Sequence, residues 1–132
     1  MFVDASALIA IITEEPEGRA LAERREAADL PITSPVAVYG AALGIARKKQ
    51  GGLEAARADV AMLLDLARIS LVPITPEDAE RALDAFGRYG KGTGHPARLN
   101  MGDGFAYAAA QGHGVPLLYE GEDFALTDLG GP

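Results

Sequence analysis

The sequence has no cysteine, which excludes disulfides and thiolate metal sites and suits a reducing, cytoplasmic setting without requiring one. It has no apolar run of about 18 residues, so no membrane-spanning helix is expected. The apolar opening, MFVDASALIAII, lacks a basic leader and a small-residue cleavage site, and Asp4 interrupts it. It reads as a buried strand running into a helix, not as a signal peptide. Positive charge is also scarce: 12 Lys+Arg stand against 19 Asp+Glu, a net charge of −7. General nucleic-acid binders are more often basic, so any nucleic acid must meet a local basic patch or a cation-filled acidic pocket. There is no Walker motif, no G-x-G-x-x-G between a strand and a helix, and no G-x-S-x-G with an ordered Ser/Asp/His set. His95 and His113 lack the spacing of a zinc site and read as structural or surface residues. These absences disfavour nucleotide-binding, serine-hydrolase and zinc chemistry. Composition alone separates neither enzyme from binding module.

What remains is enough for one folded unit. A chain of 132 residues, 48% hydrophobic, fits a single domain over 1–132 that buries roughly two-thirds of its unfolded surface. Phe2–Val3 reads as the end of a buried strand stopping at Asp4. Helical composition follows from Ala5 to Thr13, broken at Glu14-Glu15-Pro16, and again from Glu17 to Ala28. Leu30 to Thr33 is a short strand. Ser34-Pro35 is a cap followed by proline and opens a helix to Lys49, ended by Gly51-Gly52. Leu53 to Ala67 is a helix, Ile69 to Ile74 a β-branched strand, and Thr75-Pro76 caps a helix from Glu77 to Arg88. Tyr89 to Asn100 is a loop, Asp103 to Gln111 an alanine-rich helix, and Pro116 to Tyr119 a last strand. The glycine-rich tail after about Asp128 is expected to fray. Alternating strands and helices predict an α/β fold, a central parallel sheet of four to five short strands flanked by helices.

Sites in open α/β sheets gather at the carboxyl ends of the strands. Asp4 follows the first strand directly, and Glu122 and Asp123 follow the last by a few residues. Asp103 lies near the start of the preceding helix, where the helix dipole tolerates a carboxylate. If the first and last strands are neighbours, three or four carboxylates converge, which is unfavourable without a counter-cation. Oxygen-only ligands suit Mg²⁺ or Mn²⁺, and metal-assisted hydrolysis of a phosphodiester is the chemistry such a set implies. Each acid also has a plain structural reading. Asp4 caps the Ala5 helix, Asp103 complements its dipole, and Glu122-Asp123 is a solvated turn.

MFVDASALIAII, TSPVAVYGAALGIARKK, HPARLNMGDGFAYAAA and VPLLYEGEDFALTD, in this order and spacing, resemble the VapC toxins of bacterial type II toxin–antitoxin pairs across nearly the whole chain. The resemblance implies a PIN-like fold and Mg²⁺- or Mn²⁺-dependent endoribonuclease activity in the cytoplasm. It also implies inhibition by a VapB-like antitoxin and a toxin homodimer, with no membrane association. Asp4 matches the first family acid, with Ser6 as its hydroxyl neighbour. Asp103 matches the third and Asp123 the fourth, a role that Glu122 beside it is able to share.

The second acid is missing. Such toxins read Val-Phe-Glu-Ala or similar where this chain has Val38-Tyr39-Gly40-Ala41, so Gly40 stands in the glutamate's place. A glycine inside a helix costs about 1 kcal/mol against alanine and looks imposed or tolerated. Two origins fit: a detoxifying change, deliberate or selected, or a natural relative that kept the fold and lost the activity. Glu120 is a second departure, standing where similar toxins often carry lysine; the lost charge weakens attraction for phosphate. The expectation is an impaired metal-dependent ribonuclease. The alternative is a catalytically inactive module that assembles with an antitoxin, and a weaker one is a small-molecule-binding domain with an apolar pocket away from the acids. Arg47-Lys48-Lys49 is either an RNA contact or a solvated helix end. Arg88, Lys91, His95 and Arg98 form either a phosphate-binding loop or an exposed connection. Tyr39, Phe86, Phe105, Tyr107 and Phe124 include possible base-stacking rings, none of them assigned.

Overall fold

The computed structural model describes residues 1–130. Four strands form one parallel sheet: β1 (Phe2–Val3), β2 (Ile32–Thr33), β3 (Ser70–Leu71) and β4 (Leu117–Leu118), in the order β3-β2-β1-β4. The helices are α1 (Ala5–Ile12), α2 (Gly18–Glu26), α3 (Pro35–Lys48), α4 (Gly52–Leu66), α5 (Pro76–Tyr89) and α6 (Met101–His113), with a 3-10 turn at Phe124–Leu126. The expected α/β class and element order hold.

Neighbouring strand residues point to opposite sheet faces, and the core divides accordingly. Phe2 and Leu117 join Tyr89, Leu99, Tyr107 and Phe124 on the side of α5 and α6. Val3 and Leu118 join Leu8, Leu21, Ile45 and Val60 on the side of α1, α2, α3 and α4. Both β1 residues are 0% exposed, which explains why this strand reads as an uninterrupted apolar stretch.

The strands are shorter than their sequence signals. Val72 N still donates to Thr33 O at 2.9 Å, and Pro73, with no N–H to offer, stops the ladder there. The two cap-then-proline signals are realised. Ser34 Oγ accepts from Ala37 N at 3.2 Å, and Thr75 with Asp78 forms a reciprocal capping box. The last long helix begins two residues earlier than expected. Asn100 caps it, Oδ1 accepting from Asp103 N at 2.9 Å while Asp103 Oδ2 accepts from Asn100 N at 3.1 Å. Of the tail expected to fray, Leu129 N donates to Thr127 Oγ1 and Gly130 N to Thr127 O; its last two residues lie outside the described ones.

Candidate active site: acids at the carboxyl edge of the sheet

The condition for convergence is met, because β1 and β4 are hydrogen-bonded neighbours in parallel register, Phe2 with Leu117 and Val3 with Leu118. Asp4 leaves β1 with its amide still bonded to Leu118 O at 2.9 Å. Its side chain caps α1: Oδ2 accepts from Ser6 N at 3.0 Å and from the Ser6 hydroxyl at 2.6 Å. Ser6 Oγ in turn accepts from Glu120 N at 3.0 Å, tying the end of β1 to the segment beyond β4. Asp4 is therefore both a helix cap and a member of the acidic group. It is only 5% exposed. Burial pushes its carboxyl pKa up; the Ser6 and Ala5 bonds oppose that shift, and the Asp123 charge adds to it.

Asp103 occupies the third position of α6. Burial pushes its carboxyl up to about 7 against the bond from the Asn100 amide, and the charges of Asp4 and Asp123 raise it further. The Asp123 side chain is near enough to contribute to that shift. Asp123 precedes the 3-10 turn and is exposed, making no capping bond of its own. Phe124 beside it is buried and tilts against the Tyr119 ring at 5.4 Å. Glu122 is exposed, and it is the charge of Asp123 that reaches the other two acids.

Gly40 lies on α3 facing α1. A Cβ built there meets only the Ala5 Cβ, at an ordinary 3.5 Å, so position 40 looks onto the residue adjoining Asp4. Gly44, one turn on, differs: a Cβ there collides with the Ile9 side chain. Ile9 of α1 is thus packed close against Gly44, whereas Gly40 has no such neighbour.

A second acidic group was not foreseen. Glu15, Glu17 and Glu120 bring carboxylate oxygens within 4.8 Å of one another. The Glu120 carboxyl is pushed up by burial and then by the charges of Glu15 and Glu17, against the nearby Lys48. Lys48 forms an ion pair with Glu15, so this group is already partly neutralised. Only the loss of positive charge at 120 was legible beforehand. Glu15 and Glu17 sit in the α1–α2 turn, more than a hundred residues away, and no spacing signals the meeting. Asp4, Asp103 and Asp123 do not draw together this closely; they act on one another through their charges, and like charges of this kind favour a counter-cation.

The basic candidates are mostly engaged. Lys49 pairs with Asp59 at 3.1 Å. Arg88 lies 4.7 Å from the Tyr89 ring centre and donates to the Tyr89 hydroxyl at 2.7 Å. His95 Nδ1 accepts from Ala97 N at 3.0 Å, and its ring meets Tyr89 edge-on at 4.9 Å, a structural histidine as expected. Arg47, Lys91 and Arg98 are exposed. Tyr107 and Phe124 belong to the core, while Tyr39 and Phe86 are exposed. A half-open apolar groove of about 360 Å³ runs between α5 and α6, lined by Leu83, Phe86, Met101 and Phe105. Its lining also includes Asn100, three residues before Asp103, and no acid.

The PIN domain family model matches residues 1–129. A VapC ribonuclease of Rhizobium meliloti is 41% identical over 98% of this chain and 99% of that protein. Ribonuclease VapC of Mycolicibacterium smegmatis is 39% identical over 98% and 97%, and Ribonuclease VapC42 of Mycobacterium tuberculosis 38% over 98% and 96%. The chain belongs to the PIN domain family and, within it, to the VapC ribonuclease toxins.

Proposed function

We propose that this chain has the architecture of a Mg²⁺- or Mn²⁺-dependent endoribonuclease toxin, held by Asp4, Asp103 and Asp123, and that Gly40 leaves it impaired. The observation that carries this reading is the mutual charge of three carboxylates at the β1–β4 edge, two of them with raised pKa values. A divalent cation there supplies charge neutralisation and Lewis acidity toward a phosphodiester. Ser6 fixes the Asp4 carboxylate through two bonds to one oxygen, and the Asn100 amide fixes Asp103 through Oδ2. Rigid placement of this kind keeps the site ready without reorganisation. Asp123 completes the set from the turn after β4.

Glutamate at position 40 would extend from α3 over Ala5 toward Asp4, adding a fourth carboxylate to the set. Its absence lowers the site's negative charge, weakening cation binding and, if that group orients the attacking water, turnover more than RNA binding. As a member of its family the protein is expected to meet a VapB-like antitoxin, to form a homodimer and to work in the cytoplasm. No helix among the described residues is long and apolar enough to cross a membrane.

Cleavage of a structured RNA, with and without Mn²⁺, by this chain and by Gly40→Glu tests the reading. The glutamate variant should cut at least about 10- to 100-fold faster, the loss that removal even of groups supporting a metal ligand produces, and chelation should stop it. Gly40 itself favours a second reading, an inactive module that assembles with an antitoxin. If neither version cuts while both bind an antitoxin peptide, that second reading replaces the first.

A further inference from the structure

Asp123 has the least support of the three acids. It is exposed, makes no capping bond, and rides on a three-residue turn. Two pins hold that turn. Phe124 is sunk in the core on one side. On the other, Asp128 Oδ1 accepts from the Tyr107 hydroxyl at 2.6 Å and from the Tyr89 hydroxyl at 3.1 Å. Tyr89 also accepts from Asp128 N at 3.3 Å and from Arg88. Both tyrosine rings are buried, so their hydroxyls are fixed donors. Thr127 closes the turn between the pins, its amide and its hydroxyl both donating to Phe124 O at 3.0 and 2.8 Å.

Tyr107 lies one helical turn after Asp103 on α6, and residues four apart share a helix face. The helix that carries one acid therefore grips the segment that carries another. We infer that Asp128, through Tyr107 and Tyr89, is a positioning residue that holds the Phe124–Leu126 turn so that Asp123 faces Asp103. The inference rests on the reading of Asp4, Asp103 and Asp123 as a cation site. A displacement of about 1 Å is enough to cost such a site heavily. Groups that only orient ligands commonly contribute 10- to 100-fold in metal affinity.

The test is Mn²⁺ binding by titration calorimetry on the full chain, well below the melting temperature. Asp128→Ala should weaken binding by about 10-fold. Asp128→Asn should recover most of it, because an amide oxygen still accepts from both phenols. Thr75→Ala serves as a stability control, since it removes the cap of α5 near the far end of α6, beside Gly112 and His113. It should lower the melting temperature and leave Mn²⁺ affinity unchanged. If Asp128→Ala fails to fold, Tyr107→Phe carries the test, and it too should weaken binding. Asp103→Asn separates the two claims. If it abolishes binding while the folded Asp128 or Tyr107 variant binds like the parent, the positioning role is wrong and the cation site stands. If Asp103→Asn binds normally, both are overturned.

Discussion

Asp103 couples the acidic group to folding through its proton. Its folded pKa of about 7 lies above the 3.8 of a free aspartate, so between those values the folded state holds a proton that the unfolded chain has given up. Stability from this group is fully present below the unfolded value and is lost as pH rises through the folded one. Without added divalent cation, the melting temperature should therefore fall between pH 5 and pH 8, and Asp103→Asn should flatten that slope. Added Mn²⁺ should raise the melting temperature most at pH 8, where the carboxylates are charged. Thermal denaturation followed by circular dichroism checks both; a melting temperature that rises steadily from pH 5 to 8 in the cation-free protein would contradict the arrangement. Asp4, Asp103 and Asp123 were legible as candidates because strand ends and helix starts show in the sequence. The preference for Asp123 over Glu122 came from the family resemblance, and both are exposed here; it is the charge of Asp123 that bears on Asp4 and Asp103.

Among the helices, α3 offers a comparison of two glycines one turn apart. At Gly40 a methyl group meets Ala5 at ordinary distance, so Gly40→Ala should stabilise the fold by up to about 1 kcal/mol through helix propensity alone. At Gly44 the same methyl meets the tip of the Ile9 side chain, so Gly44→Ala should gain less than Gly40→Ala, because Ile9 must turn aside to admit it. Chemical denaturation of the two variants reads out the difference directly, and a larger gain at position 44 would contradict it. The contrast shows where sequence reading stops. Both glycines are equally unfavourable on paper, and only the fold says which one has a neighbouring side chain close by. Helix starts at Ser34-Pro35 and Thr75-Pro76 were readable because capping is local chemistry. Strand lengths were not, because two-residue strands are defined by partners far along the chain.

At the scale of the whole molecule, a net charge of −7 opposes RNA, and the Glu15, Glu17 and Glu120 group adds to that opposition. Two of the twelve basic residues, both near the end of α3, already pair with acids of the chain, Lys48 with Glu15 and Lys49 with Asp59. Glu120→Lys should therefore tighten RNA binding at low salt. It should also steepen the dependence of log affinity on log salt by about one unit, as expected for one added phosphate contact. Fluorescence anisotropy with a labelled RNA across a salt series measures this, and an unchanged slope would place position 120 outside the RNA path. Sheet order belongs to this scale as well. Alternation of strands and helices announced a parallel sheet, whereas the adjacency of β1 and β4 had to be conditional, because no local signal states which strands are neighbours.

That adjacency also sets a schedule. Phe2 pairs with Leu117, and a chain emerging from the ribosome cannot close that pair until the 114 residues between them have been made. Such distant pairings are the slow part of folding. Asp4 waits, exposed and alone, through the synthesis of more than a hundred residues before Asp103 and Asp123 join it. A product stalled or truncated before β4 therefore carries no assembled acidic cluster, and whatever that cluster does begins only once translation has passed the last strand and Asp123.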